Sequence, residues 1–162
     1  MNPAHLHLVV NHIPVIGGPI ALALLVWGAL ARDRSLRRAG CLLTVLLAVS
    51  CWVAVYTGES AEDLIESLDG VNRPAIHPHE ERAEAAWAAF LVAGALAAAA
   101  LLLPEQPRGG WGRRVPPPAA RALLVAAALA VGIALVVSAA SLGGRIRHPE
   151  VDLVAAEQSP RN

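Results

Sequence analysis

Four blocks of apolar sequence, at about residues 6–30, 39–57, 83–103 and 122–142, decide what this chain can fold into. Each has about the 20 residues a helix needs to cross a bilayer. Hydrophobic residues make up 56% of the 162, gathered in blocks rather than scattered, which excludes an ordinary soluble domain. The fold class that follows is all-α: a four-transmembrane-helix bundle over residues 1–150, then a polar C-terminal tail at 151–162. No basic residue precedes Arg32, and the positive cluster follows the first apolar block. That is the reverse of a signal peptide, so the first block is expected to remain in the mature protein.

A formal net charge of zero conceals an asymmetry. The chain has no lysine. The segments "ARDRSLRRAG" and "PEQPRGGWGRRVPPPAAR" carry eight arginines between them against Asp33 and Glu105, about +6. The remaining segments sum to about −6. Short arginine-rich loops stay in the cytoplasm, so both termini and the segment between helices two and three are expected in the periplasm. In that segment, Ser60 with Asp63 resembles a capping box, and Ala61, Leu64, Ile65 and Leu68 form one apolar stripe ending at Gly70. A short amphipathic surface helix is expected there, with the third span starting near His79 after Pro74 and Pro78. Cys41 and Cys51 lie ten residues apart in one helix, about 15 Å along its axis and too far for a disulfide. Pro14 is expected to kink the first helix. Trp52 and Tyr56 read as interface anchors.

The threading brings all six histidines, His5, His7, His12, His77, His79 and His148, to one end of the bundle. His12 sits about 27 Å up its helix, near the hydrocarbon boundary, with Glu59 at similar height and His7, His79 and His148 above. Imidazole near hydrocarbon needs a partner. One reading is haem b, held by axial imidazoles from facing helices, with Gly17, Gly18, Gly143 and Gly144 lining a slot. Arg82, Arg145 and Arg147, with Arg73, would meet the propionates. Asn11, Glu59 and Glu80 are candidates to accept an imidazole N–H and orient it. The second reading is a divalent transition metal on His12, His79, His7, His148, Glu59 and Glu80. "HEERA" lacks the second histidine of a zinc-hydrolase signature. The third is a polar edge that snorkels to water.

The stretches "HLHLVVNHIPVIG", "YTGESAED", "HPHEERA" and "LGGRIRHPE" together resemble a family of uncharacterised bacterial four-helix inner-membrane proteins. The matching residues are His7, His12 and Pro14, then Thr57, Gly58 and Glu59, then His79 and Glu80, then Gly143, Gly144 and His148. The chain is also distantly similar to a broader predicted haem-binding-type membrane family with His-Phe-Pro in helix one. Ile13 stands here for that Phe, and the spacing from Gly-Gly to His148 is shorter. Some members of the broader family are joined to cytochrome c or Rieske-type partners, so the resemblance implies redox work by analogy.

The expected function is a membrane b-type cytochrome-like electron-transfer protein or subunit, with His12 and His79 as leading axial ligands. Its expected partners are the lipid bilayer and a quinone, cytochrome c or a larger membrane redox complex. The alternative is a non-redox membrane subunit or divalent-metal-binding protein. A stand-alone enzyme has little support, since no Ser or Cys adjoins a plausible base. Nucleic-acid binding has none, because the arginines are orientation signals.

Overall fold

The computed structural model describes residues 3–66, 70–105 and 115–148, the side chains of residues 3, 62–66 and 147 excepted. The helices are α1 (Pro3–Val10), α2 (His12–Leu30), α3 (Arg34–Glu66), α4 (Ile76–Leu102) and α5 (Pro118–Arg147), with a 3-10 turn at Arg73–Ala75 before α4. Every described element is helical, and four stretches are long and apolar enough to cross a membrane: Ala4–Leu30, Arg34–Ala61, Arg73–Leu102 and Pro118–Ile146. Only 28–39% of each apolar window is buried in the bundle. The rest, including Ile16, Trp27, Leu46, Leu91 and Val131, faces outward. An exterior this apolar is a lipid-facing surface.

Pro14 interrupts the helical hydrogen bonding of the first span. Its missing N–H leaves the Val10 carbonyl without its usual helical donor, and the helix breaks at Asn11 into α1 and α2. At the other end of α2, Arg32 takes a positive φ of 54° and the Asp33 carboxylate accepts the Leu36 N–H, turning the chain into α3. Two expected boundaries move. The α4 helix starts at Ile76 rather than His79, because Pro78 falls in a first turn whose N–H groups have no helical acceptor anyway. The α3 helix runs unbroken through Thr57-Gly58-Glu59 to Glu66, about 50 Å, so residues 60–66 extend it rather than begin a separate surface helix. Of the expected stripe, Ala61 is buried; the side chains of Leu64 and Ile65, and Leu68 altogether, lie outside the described residues. Gly70, which ends this stretch, has φ of 78° and open space around it. The linker at 106–114 and the tail at 151–162 also lie outside.

The spans form a ring in which α2 packs on α3 and α5, and α4 on α3 and α5. The core is rich in small residues, with Ala21, Ala86, Ala93 and Ala97 fully buried, so helix backbones approach closely. Two hairpins, α1/α2–α3 and α4–α5, repeat one another. Sliding the sequence so that His7 falls on His79 also lays Pro14, Gly18, Ala21 and Leu25 on Ala86, Phe90, Ala93 and Ala97, all of them buried. For the return helices, laying Ala54 on Ala139 brings Cys41, Thr44, Leu47 and Cys51 onto Ala126, Leu129, Gly132 and Val136, again all buried. The large and small partners are exchanged between hairpins. Leu47 of α3 fills the notch at Gly17 of α2, whereas Phe90 of α4 fills the notch at Gly132 of α5. Cys41 and Cys51 are free and buried.

Candidate functional site

Each hairpin seats one histidine on its return helix in the same way. His7, in α1, has its Nδ1 2.8 Å from the Ala54 carbonyl oxygen of α3. Its ring lies against Gly58, where an added Cβ would meet His7 Cε1 at 3.1 Å. His79, in the first turns of α4, has its Nδ1 2.8 Å from the Ala139 carbonyl oxygen of α5. Its ring lies against Gly143, where a Cβ would meet Cε1 at 3.0 Å. In both cases the carbonyl belongs to the residue one turn before the glycine, and any side chain there would press on the ring.

These bonds fix the chemistry of the rings. A carbonyl oxygen only accepts, so Nδ1 carries the hydrogen in both histidines and donates it. In the neutral ring Nε2 then keeps its lone pair. The two imidazoles are half-buried, and each lies within electrostatic range of the other. The result is a matched pair of oriented nitrogen donors, each backed by a main-chain carbonyl as metal-bound histidines commonly are.

One turn beyond His7, on the same face of the helical path, Asn11 has a buried Oδ1 with no hydrogen-bond partner. At Nδ1 the rings are oriented by the main-chain carbonyls of Ala54 and Ala139, where the sequence offers the side chains of Asn11, Glu59 and Glu80. Every residue has a carbonyl, so its use leaves no mark in a sequence. The recurrence of an alanine one turn before a glycine near the same end of both return helices was the available signal. Glu59 is exposed and lines an open groove of about 670 Å³ between α3 and α4, with Glu81, Glu84 and the half-buried Trp87. Glu80 is half-buried.

His12 is exposed, and its Nδ1 bonds the Leu8 carbonyl of its own helical path at 2.7 Å. His148 is exposed at the C-cap of α5, its backbone N–H bonded to the Gly144 carbonyl. His5 and His77 are exposed as well, His77 with its Nε2 3.3 Å from Glu81 Oε1. Arg82 and Arg145 are exposed, and the Arg147 side chain lies outside the described residues. The glycines expected to line a slot are used differently. Gly17 receives Leu47, Gly18 receives Ile133 and Gly143 receives His79, while Gly144 is open. Trp52 and Tyr56 stack one turn apart on the exposed face of α3, with ring centroids 6.2 Å apart.

Because His12 is exposed and its ring bonds a carbonyl of its own helical path, His12→Ala is expected to change stability by less than about 0.5 kcal/mol. Any cofactor content should also stay at the wild-type level, which absorption and thermal unfolding of the purified variant check.

Among the described residues no group of three or more His, Cys, Asp or Glu side chains is close enough to hold an ion. The pair itself offers two neutral imidazole donors, His7 and His79, which in type and number would suit haem b. No protein family, curated protein or solved structure matches the chain.

Proposed function

We propose that the protein is an electron-transfer component of a membrane that holds haem b between His7 and His79. The observation that carries this reading is the pair of equivalently seated imidazoles, each with Nδ1–H tied to a helix carbonyl and Nε2 left as a donor. When bound, haem b supplies one-electron chemistry at its iron. The chain's own part is to hold each ring at a fixed angle. The carbonyls of Ala54 and Ala139 keep the tautomer, and Gly58 and Gly143 keep the rings pressed to their return helices. A ligand set that keeps its geometry through oxidation and reduction lowers the reorganisation that electron transfer requires.

The arginine-rich loops mark the opposite end of the bundle as cytoplasmic by the positive-inside rule, which puts the histidine end at the periplasmic face of a bacterial inner membrane. An electron carrier there exchanges with a quinone, a cytochrome c or the other subunits of a membrane redox complex. The resemblance to four-helix inner-membrane proteins with redox-associated relatives points the same way.

A second reading is a divalent transition metal on the same two histidines. It is favoured by one observation, the unpartnered Oδ1 of Asn11 one turn from His7, which adds an oxygen donor to the pair. A pyridine haemochrome assay and a metal assay on one purified sample separate the two. The haem reading expects about one haem per chain and no stoichiometric Cu, Zn or Ni. Stoichiometric metal without haem would replace it by the second reading.

A further inference from the structure

The opposite end of the bundle keeps two arginines out of water. Arg37, in the first turn of α3, is 8% exposed, and Arg121, in the first turn of α5, is 6% exposed. Arg37 donates to the Gly28 carbonyl at the end of α2 and to the Glu105 carboxylate, the latter at 2.8 Å. Arg121 donates to the carbonyls of Ala100, Leu103 and Pro104 at the end of α4. Each arginine thus ties down the C-terminal end of the neighbouring helix. Yet in both, the Nε–H is buried and has no acceptor among the described residues.

The two arginines, together with Arg38, Cys41, Glu105 and Leu101, line a void of about 20 Å³ between α3, α4 and α5. Two buried guanidinium groups, those of Arg37 and Arg121, meet one carboxylate there, and the exposed Arg38 adds a third positive charge nearer the surface. The N-terminal ends of α3 and α5 add positive potential, which the C-terminal end of α4 offsets only in part. A buried excess of positive charge beside two idle N–H donors calls for an anion with acceptor capacity. Size favours a small ion: the inner part of this half-open cleft takes one particle of about the size of water, smaller than a phosphate or carboxylate. A halide ion is small enough, carries the missing charge and accepts hydrogen bonds from several directions.

We propose that this void is a halide site, filled by chloride in the cell, with the Nε–H groups of Arg37 and Arg121 as donors. The ion clamps the ends of α3, α4 and α5 together. The site is independent of the histidine pair and stands whether or not haem binds there.

The test uses the full chain in zwitterionic nanodiscs at fixed ionic strength, with gluconate exchanged stepwise for chloride or bromide. The unfolding midpoint should rise saturably with either halide and stay flat in gluconate. Glu105→Gln removes the carboxylate that competes for Arg37, so it should lower the half-saturating chloride concentration by about tenfold or more. Arg121→Gln should abolish the response, and Glu105→Gln keeps the test decisive if that variant fails to fold. Equal midpoints in chloride and gluconate, for both wild type and Glu105→Gln, would mean that the void holds water and would overturn the proposal. A halide response whose half-saturation is unmoved by Glu105→Gln would overturn it too, by placing the ion elsewhere.

Discussion

Replacing His79 by alanine is expected to leave the protein inserted and folded but with less than about a tenth of the wild-type haem. His79 is half-buried at an end of α4 and bonds a carbonyl that α5 can re-supply to its own helix, so the fold loses one contact between helices. The proposed centre, by contrast, loses one of its two protein ligands. His7→Ala should behave the same way, because its seat on Ala54 and Gly58 copies the seat of His79 on Ala139 and Gly143. The equality of the two effects is the informative part. Filling a seat should weaken binding without removing a ligand: Gly58→Val or Gly143→Val pushes the ring off its carbonyl, at a cost of about 10–100-fold in affinity, as for other groups that orient metal-bound histidines. Absorption spectra of membranes expressing these variants, normalised to protein content, provide the check. Loss on His79→Ala with none on His7→Ala would break the pairing.

The largest effect on stability is expected at Phe90. It is fully buried, packs over Gly132 and approaches Gly18, and is the largest side chain in the core that is shut off from the surface. Phe90→Ala should destabilise the bundle by about 3–5 kcal/mol, the range for deleting a buried aromatic whose surroundings close only partly. Collapse is hindered here by the exchanged packing of the two hairpins. Gly132 and Gly18 have no side chains to move into the void, and the flanking alanines are too short. Reversible unfolding of the variant in detergent, followed by helical circular dichroism, measures the loss. A change below about 1 kcal/mol would mean that the helices slide together and that the notch at Gly132 is not a fixed feature.

The spans were legible in the sequence because lipid leaves little freedom: apolar blocks of about 20 residues allow one local structure. Their ends were less so. Thr57-Gly58-Glu59 reads as a turn, yet α3 passes straight through it. Thr57 turns its hydroxyl onto the Val53 carbonyl of its own helix, 2.8 Å away, and Gly58 is the seat of His7 rather than a helix stop. The histidine cluster was legible as a cluster but not as a pair. His7 and His12 lie five residues apart, about 140° around a helix. One ring therefore turns to α3 and the other outward. Which of them is held inside depends on where Gly58 and Ala54 come to rest, a matter of packing between helices. The pseudo-repeat was hidden for a related reason. Burial and register are shared by the two hairpins while the residues differ, as with Gly18 and Phe90.

A reduced-minus-oxidised absorption spectrum of the purified protein tests the central claim most directly. The account predicts a sharp α-band of b type that appears on reduction with dithionite, survives in His12→Ala, and disappears in both His7→Ala and His79→Ala. A flat difference spectrum from folded, haem-supplied wild-type protein would contradict it, and the seated imidazoles would then belong to another centre or to the fold alone.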